Sequence, residues 1–225
     1  FHEPDVMGVQ EALPNQMKDL DSLLPDYKFI GVGRDDGGNQ GEFSAIFYNS
    51  KVLKVGQNGT FWLSETPNKV SMGWDAICNR VCTYGLFENK ANGQKFWAFN
   101  THFDHVGKVA KKESVHLILR KMEEINQDKY PVVLMGDFNL EPETENIKMI
   151  TKVLSDSKSV SKLVFGPEGT WNGFNFEKPV KRRIDYIFVS KEFFSVKKYA
   201  VLSDSWDTRY PSDHLPVIAE LKLTN

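Results

Sequence analysis

Apolar residues recur along this chain in short runs bounded by turn-forming residues, the pattern typical of β-strands. Helical periodicity is confined to three segments. It is clearest at 107–127, where apolar residues from Val115 to Ile125 form one stripe opposite lysines and glutamates. Strands with interspersed helices predict an α/β (α+β) sandwich. The predicted strands are 5–10, 27–32, 43–48, 60–63, 77–87, 95–102, 131–136, 184–189, 196–202 and 215–223, and the predicted helices are 14–24, 107–127 and 143–154.

The composition indicates a soluble globular protein. Of 225 residues, 40% are hydrophobic, and the net charge of −2 supplies no basic field for a nucleic acid, which stays a possible but disfavoured partner. The densest apolar run, 130–135, is far shorter than the roughly 18 residues of a membrane span. Cys78 and Cys82 lie four apart in one predicted strand, pointing to one face too far apart to bond, so a disulfide framework is excluded. We expect a monomer, and the composition does not choose between a cytoplasmic and an exported protein.

Polar residues appear where three of the apolar runs end. The run 6–10 leads into Glu11, the run 96–101 into His102, and the run 132–136 into Asp137, with Asn139 two residues later. Each has a plain structural alternative, because Glu11 could cap the helix near Pro14 and the 137–139 segment could be a turn. Taken together, these residues are predicted to emerge at the edge of a sheet.

Two further acids and a histidine lie near the end of the chain. Asp185 interrupts a strand and shares a face with Ile187 and Val189, so it is predicted to point inward or toward a cleft. An unpaired carboxylate is costly there. Asp213 and His214 immediately precede the last predicted strand.

This acid-rich set favours a hard cation over zinc. Carboxylate and amide oxygens are the ligands that Mg²⁺ takes, whereas Zn²⁺ prefers imidazole and thiolate. The sequence contains no CxxC, HExxH, P-loop, GxSxG or GxGxxG motif, so nucleotide-cradling and serine-nucleophile chemistries lose their usual sequence support.

Six motifs occur in the order found in the endonuclease/exonuclease/phosphatase superfamily, which this chain resembles from Phe1 to its end. The resemblance implies a four-layer sandwich, with two mixed β-sheets packed face to face between helical layers, and a divalent-metal phosphoesterase site at one end. We expect residues 1–225 to form a single domain of this kind that lacks the first strand, with its asparagine, and most of the first helix. The motifs are Val9–Gln–Glu11, Cys78–Asn–Arg80, Asn100–Thr–His102–Phe–Asp104–His105, Gly136–Asp–Phe–Asn139, Arg183–Ile–Asp–Tyr186 and Ser212–Asp–His214.

The resemblance also implies roles for the acids and for the second histidine. Glu11 would be the ligand of Mg²⁺ or Mn²⁺, helped by Asp213 directly or through water. Asp185 would orient His214, which would act as the base or contact the phosphate.

The other motif residues would handle water and substrate. Asp137 with Asn139 would position the attacking water and the phosphoryl oxygen, and His102 would donate to the departing or non-bridging oxygen. Asn100 would bind substrate. Arg80 would either clamp the phosphate or serve as a structural ion-pair partner.

The sequence therefore predicts a divalent-metal-dependent hydrolase of phosphoesters, with a small or non-polymeric substrate favoured over DNA or RNA. The alternatives are a nuclease and a catalytically silent module that binds a phosphorylated ligand. Aromatic and basic residues near the site would fit a nucleobase, a sugar or a lipid headgroup. They are Trp74, Trp171, Phe174 and Phe176, with the basic cluster Lys178, Lys181, Arg182 and Arg183.

Overall fold

A computed structural model describes residues 2–224, which form two compact units, one ending at Asp137 and the other beginning at Phe138. The first unit contains seven of the strands and the two longest helices. Its elements are β1 (Val6–Ala12), α1 (Pro14–Leu23), β2 (Tyr27–Ile30), β3 (Phe43–Asn49), β4 (Leu53–Trp62), β5 (Val81–Asn89), β6 (Lys95–His102), α2 (Lys108–Ile125) and β7 (Val132–Asp137).

Two sheets build the first unit. Strand β3 lies between β1 and β2 and is antiparallel to both. In the second sheet β4, β5 and β6 are antiparallel neighbours, and β7 runs parallel to β6. A parallel pair needs a long crossover, and α2 supplies it. The carboxyl ends of β6 and β7 therefore meet at one sheet edge.

The core of the first unit follows the hydrophobic pattern. Met17 and Leu20 of α1 pack with Phe43 and Phe47 of β3, and α2 buries one stripe that includes Val115 and Ile118. Burial of this kind stabilises by roughly 25 cal/mol per Å² of apolar surface. The same residues that define the stripes thus fix the helices against their sheets.

The second unit contains shorter elements and two small groups of strands. Strand β10 pairs antiparallel with β8, while β11 lies between the antiparallel β12 and the parallel β9. Its elements are α3 (Glu145–Val153), β8 (Leu154–Asp156), α4 (Ser157–Val160), β9 (Val164–Phe165), β10 (Asp185–Ser190), β11 (Phe194–Val201) and β12 (Val217–Leu223).

The predicted mixed α/β class is confirmed, with β6 at its predicted bounds and the three predicted helices present. Two predicted strands are wrong at their starts. β4 begins at Leu53 instead of at 60, and residues 77–80 precede β5, so Cys78 lies outside the strand and does not share its face with Cys82. Both cysteines are free. The short elements β8, β9 and α4 were not predicted, because two to four residues carry too little periodicity.

Among residues 2–224, no helix is long and apolar enough to cross a membrane.

Candidate active site

His102 and Asp137 are neighbours because they end two parallel strands. The register of β6 and β7 places them directly opposite each other. Both side chains are buried, and His102 Nε2 lies 3.3 Å from Asp137 Oδ2. The sequence predicts that these residues emerge at the edge of a sheet. The register of β6 and β7 places His102 and Asp137 side by side at the ends of their strands.

Gly136 makes the approach of β7 to β6 possible. Its φ of 143° lies where L side chains are rare, and an added Cβ would come within 2.0 Å of the Thr101 carbonyl oxygen. Any other residue would push the two strands apart just before Asp137. The glycine of the 136–139 motif is therefore a packing requirement of the site.

Glu11 is presented by an irregularity in β1. The pairing of β1 with β3 shifts register between Val9 and Ala12, and Glu11 itself has a φ of 61°. A β-bulge re-aims a side chain, and a non-glycine residue at positive φ is strained. Helix α1 is capped by Leu13, so the alternative interpretation of Glu11 as its cap is not what the structure shows.

The three side chains form one group. His102 Nε2 lies 3.8 Å from Glu11 Oε1, and one ligand atom from each of Glu11, His102 and Asp137 falls within 4.8 Å of the others. Glu11 is 56% exposed, whereas the other two are buried. The group therefore offers two carboxylates and an imidazole, and the Glu11 carboxylate is open to solvent.

Asn100 ties the bulge to the second sheet. Its Nδ2 donates to the Val9 and Ala45 carbonyl oxygens at 3.0 and 2.8 Å, and its Oδ1 accepts from Gln10 Nε2 at 2.6 Å. Asn100 is fully buried. These bonds hold Val9 and Gln10, which immediately precede Glu11, so Asn100 positions Glu11 through its neighbours. The sequence analysis did not predict this role, although Gln10 and Glu11 belong to the same motif.

Arg80 is buried beside Asp104. Its Nε lies 3.7 Å from Asp104 Oδ2, and its Nη2 lies 3.1 Å from His105 Nδ1. The contact with Asp104 supports the interpretation of Arg80 as a structural ion-pair partner. Within residues 2–224, Nε and Nη1 have no hydrogen-bond partner, and the phosphate-clamp interpretation stays a prediction.

The carboxylate of Asp104 organises the loop after β6. Burial raises its pKa, but backbone N–H groups of Gly107, Val106 and Ile77 and the charge of Arg80 more than offset this, and the net pKa is lowered. Asp104 is therefore held as a carboxylate by its loop.

In the second unit, His214 and Asp185 form a direct pair. His214 Nδ1 lies 2.8 Å from Asp185 Oδ2. A carboxylate accepts only, so Nδ1 carries the proton and Nε2 is the basic nitrogen. In β10 Tyr186 and Phe188 are buried on one face, whereas on the face of Asp185 only Val189 is buried and Asp185 and Ile187 are partly exposed.

Thr170 supports this pair and was missed from the sequence. Its Oγ1 accepts from the backbone N–H groups of Ile184 and Asp185, and its carbonyl accepts from Leu215 at 2.7 Å. It is fully buried, and it thereby links the segments on either side of the pair. Its position just before Trp171 was the only local signal.

Asn139 lies at a fixed corner. The preceding Phe138 donates its N–H to the Ile184 carbonyl at 2.9 Å and packs edge-on against Tyr186 and Phe188. Asn139 has a φ of 49°, a conformation that asparagine tolerates better than most residues.

The predicted basic cluster is divided by the structure. Arg183 is buried and makes two hydrogen bonds to Asp156, at 3.2 and 2.6 Å. Burial lowers the pKa of Arg183, but Asp156 more than offsets this and raises it. Lys178, Lys181 and Arg182 are exposed. Asp213 accepts with its backbone carbonyl from Asn172 and Gly173, and its ligand role stays a prediction.

Residues 2–214 match the Endonuclease/Exonuclease/phosphatase family. The chain belongs to this family. The match covers every candidate residue described above, so both groups of side chains lie in the part that carries the family pattern.

Solved structures of family members agree with this membership. The chain is 42% identical to a mannosyl-6-phosphatase of Bacteroides thetaiotaomicron, with a TM-score of 0.95 over 98% of this chain and 86% of that one. It is 40% identical to a family protein of Bacteroides vulgatus, with a TM-score of 0.93 over 99% and 86% of the two chains. D. rerio TDP2 complexed with a single-strand DNA product is 20% identical, with a TM-score of 0.71 over 97% and 86%, and shows the fold alone.

Proposed function

We propose that this family member is a divalent-metal-dependent hydrolase of phosphoesters, acting on a small rather than a polymeric substrate. The observation that carries the proposal is the group of Glu11, His102 and Asp137, whose ligand atoms lie within 4.8 Å of one another. Family membership supports the reaction class.

The donor set fits Mg²⁺ or Mn²⁺. Two carboxylates lie near one imidazole, and Glu11 remains exposed, so water and substrate can reach it. Hard cations take carboxylate oxygens and keep several waters. We propose Glu11 as the ligand, helped by Asp213. When bound, the cation would polarise a phosphoryl oxygen and offset its growing charge.

His102 and Asp137 have complementary tasks. The buried Asp137 carboxylate lies 3.3 Å from His102 Nε2 and can orient the imidazole ring. We propose that His102 donates to the departing or non-bridging oxygen, as the sequence predicts. Asp137 and Asn139 are proposed to orient the attacking water and the phosphoryl oxygen.

His214 is proposed as the base or phosphate-contacting group. Its bond to Asp185 fixes the ring and presents Nε2 as the acceptor of a proton. The carboxylate also stabilises the imidazolium that forms when Nε2 takes that proton. Asp185 is thus a positioning residue for His214.

A sugar phosphate is the substrate type with the best support. The mannosyl-6-phosphatase shares 42% of its aligned sequence with this chain, and the net charge of −2 supplies no basic field for a polyanion. The comparison with TDP2 concerns the fold alone, so a nuclease activity has weaker support.

The proposal is tested by measuring hydrolysis with a chelator and then with added Mg²⁺ or Mn²⁺. The panel contains p-nitrophenyl phosphate, bis-p-nitrophenyl phosphate, mannose 6-phosphate, single-stranded RNA and nicked DNA. We expect metal-dependent release of phosphate from the monoesters. Full activity in EDTA would contradict metal dependence, a preference for RNA or DNA would indicate the nuclease, and ligand binding without turnover would indicate a silent module.

A further inference from the structure

An aromatic segment of the second unit is fixed to the backbone around His214. Trp171 forms isolated β-bridges with both Arg182 and His214. The next residue, Asn172, donates its N–H to the Asp213 carbonyl at 2.8 Å and its Nδ2 to the Ser212 carbonyl at 3.0 Å. Because these contacts use the backbone at Trp171, they place Trp171 opposite His214, and its indole is not needed to hold the segment in place.

The indole of Trp171 is built into a polar surface. Trp171 remains 38% exposed, and the Arg182 guanidinium carbon lies 5.2 Å from the centre of its ring. Arg182 Nε in turn lies 3.4 Å from Glu141 Oε1, and both charged side chains are about half-exposed. The surface therefore combines an aromatic ring with a donor and an acceptor whose charges cancel.

Neighbouring residues extend this surface and keep it rigid. Gly173, at a φ of 57°, packs so closely that an added Cβ would lie 2.9 Å from Trp171 Cζ2. Phe174 is 66% exposed with a φ of 57°, and Phe176 packs against Tyr210 with ring centres 5.2 Å apart. Exposed aromatic side chains on a fixed loop are typical of a binding surface.

We propose that Trp171, Arg182 and Glu141 bind the pyranose ring of a sugar phosphate whose phosphate group reaches His214. This inference rests on the proposed function and names the part of the site that recognises the leaving group. The C–H groups on one face of a pyranose are apolar and carry partial positive charge, which suits the negative face of an indole. Sugar hydroxyls both donate and accept, and Glu141 and Arg182 supply the matching acceptor and donors.

A neutral Arg–Glu pair distinguishes this surface from one built for nucleic acid. A single-stranded polynucleotide is held by bases stacked on aromatic rings together with uncompensated positive charge along the backbone. Here Glu141 offsets the charge of Arg182. An uncharged polyhydroxyl ring needs no uncompensated positive charge.

The test compares two substrates that differ by the sugar ring. Mannose 6-phosphate and glycerol 1-phosphate both release a primary alcohol, so the chemical step is similar and only the ring is lost. For Trp171→Ala we expect kcat/KM for mannose 6-phosphate to fall about 10-fold or more, mainly through KM, the loss typical of removing a stacking partner. The value for glycerol 1-phosphate should stay within about 2-fold, because that substrate has no ring to stack.

Three further variants sharpen the test. Trp171→Phe keeps an aromatic face and should give an intermediate loss, and Arg182→Lys should also weaken binding of the sugar because the planar fork is lost. Phe165→Ala removes another exposed aromatic residue, from the edge strand β9, and should change the kinetics of neither substrate.

Several outcomes would overturn the inference. Equal losses on both substrates would mean that Trp171 acts through His214, and unchanged kinetics would mean that it binds nothing. A larger loss on adenosine 5′-monophosphate than on mannose 6-phosphate would indicate a nucleobase surface instead.

Failure of the proposed function can be recognised separately. If neither monoester is hydrolysed with Mg²⁺ or Mn²⁺, that function fails, but saturation-transfer NMR of mannose 6-phosphate and of methyl mannoside 6-phosphate still measures binding to the surface. Ring-proton signals that disappear in Trp171→Ala would support the sugar surface, and equal signals in both proteins would overturn it. The two ligands also distinguish a free sugar phosphate from a glycosidically linked one.

Discussion

His102 and His214 lie at different distances from their neighbouring carboxylates. In the first unit His102 Nε2 lies 3.3 Å from Asp137 and 3.8 Å from Glu11, whereas in the second unit His214 Nδ1 lies 2.8 Å from Asp185. The short contact is an ordinary hydrogen bond, and 3.8 Å is too long for one. His214 and Asp185 are therefore close enough to bond directly to each other. Glu11, His102 and Asp137 are spaced more widely, as side chains that share a cation can be.

Exposure follows the same division. Asp185 is only 14% exposed and lies within hydrogen-bond distance of His214, whereas the strained bulge turns a half-exposed Glu11 outward. A paired carboxylate orients its histidine, and an open carboxylate can take a ligand from solution. The difference indicates a positioning task for one acid and a binding task for the other.

The largest expected effect comes from breaking the tight pair. His214→Ala and Asp185→Asn should each lower kcat by about 10³- to 10⁴-fold, because the orienting carboxylate and the base act as one unit. The double variant should be little worse than either single variant. Steady-state kinetics of all three proteins measures this, and independent factors that multiply would show that the two residues do not act together.

The next largest effect is expected from removing Asn100, which holds the strand segment next to Glu11. Asn100→Ala leaves the carbonyls of Val9 and Ala45 without their donor, so we expect a loss of about 2–4 kcal/mol in the free energy of unfolding. Gln10→Ala removes one bond to Asn100 and should cost less. Urea denaturation measures both, and a substitution at Asn100 that leaves stability unchanged would contradict its proposed role.

The open group itself is tested with Glu11→Gln. We expect the Mg²⁺ concentration for half-maximal activity to rise about 10- to 100-fold, because a charged ligand is lost at a site whose partners remain. The melting temperature should change little, since Glu11 is half-exposed. Glu123→Gln, on the exposed face of α2, is the matched control, and an equal shift in both variants would argue against a ligand role for Glu11.

The smallest effect concerns Asp104, a carboxylate with a structural task. Its pKa is lowered in the folded protein, so the native state binds fewer protons than the unfolded chain. Its contribution is present above the unfolded pKa of about 3.9 and is lost as the pH falls through the lower folded value. Melting temperatures between pH 6 and pH 3 should fall less steeply in Asp104→Asn, and parallel curves would contradict this.

The sequence by itself determined the strands that deliver the site. Apolar runs ending in His102 and Asp137 predicted that both lie at strand ends, and the predicted helix between them is the long crossover that a parallel pair needs. The Asp185 carboxylate inside a strand predicted the need for a partner, and the resemblance supplied His214. These features are local, because periodicity is set by neighbouring residues.

Only the tertiary structure decided how the side chains are used. Arg182 and Arg183 are adjacent and look alike in the sequence, but Arg183 is buried against Asp156, and Arg182 remains exposed over Trp171. The bulge at Glu11 depends in turn on Asn100, which lies about ninety residues away in the chain. Local patterns carry no information about such distant partners, because burial, strain and hydrogen bonding are fixed when the sheets pack.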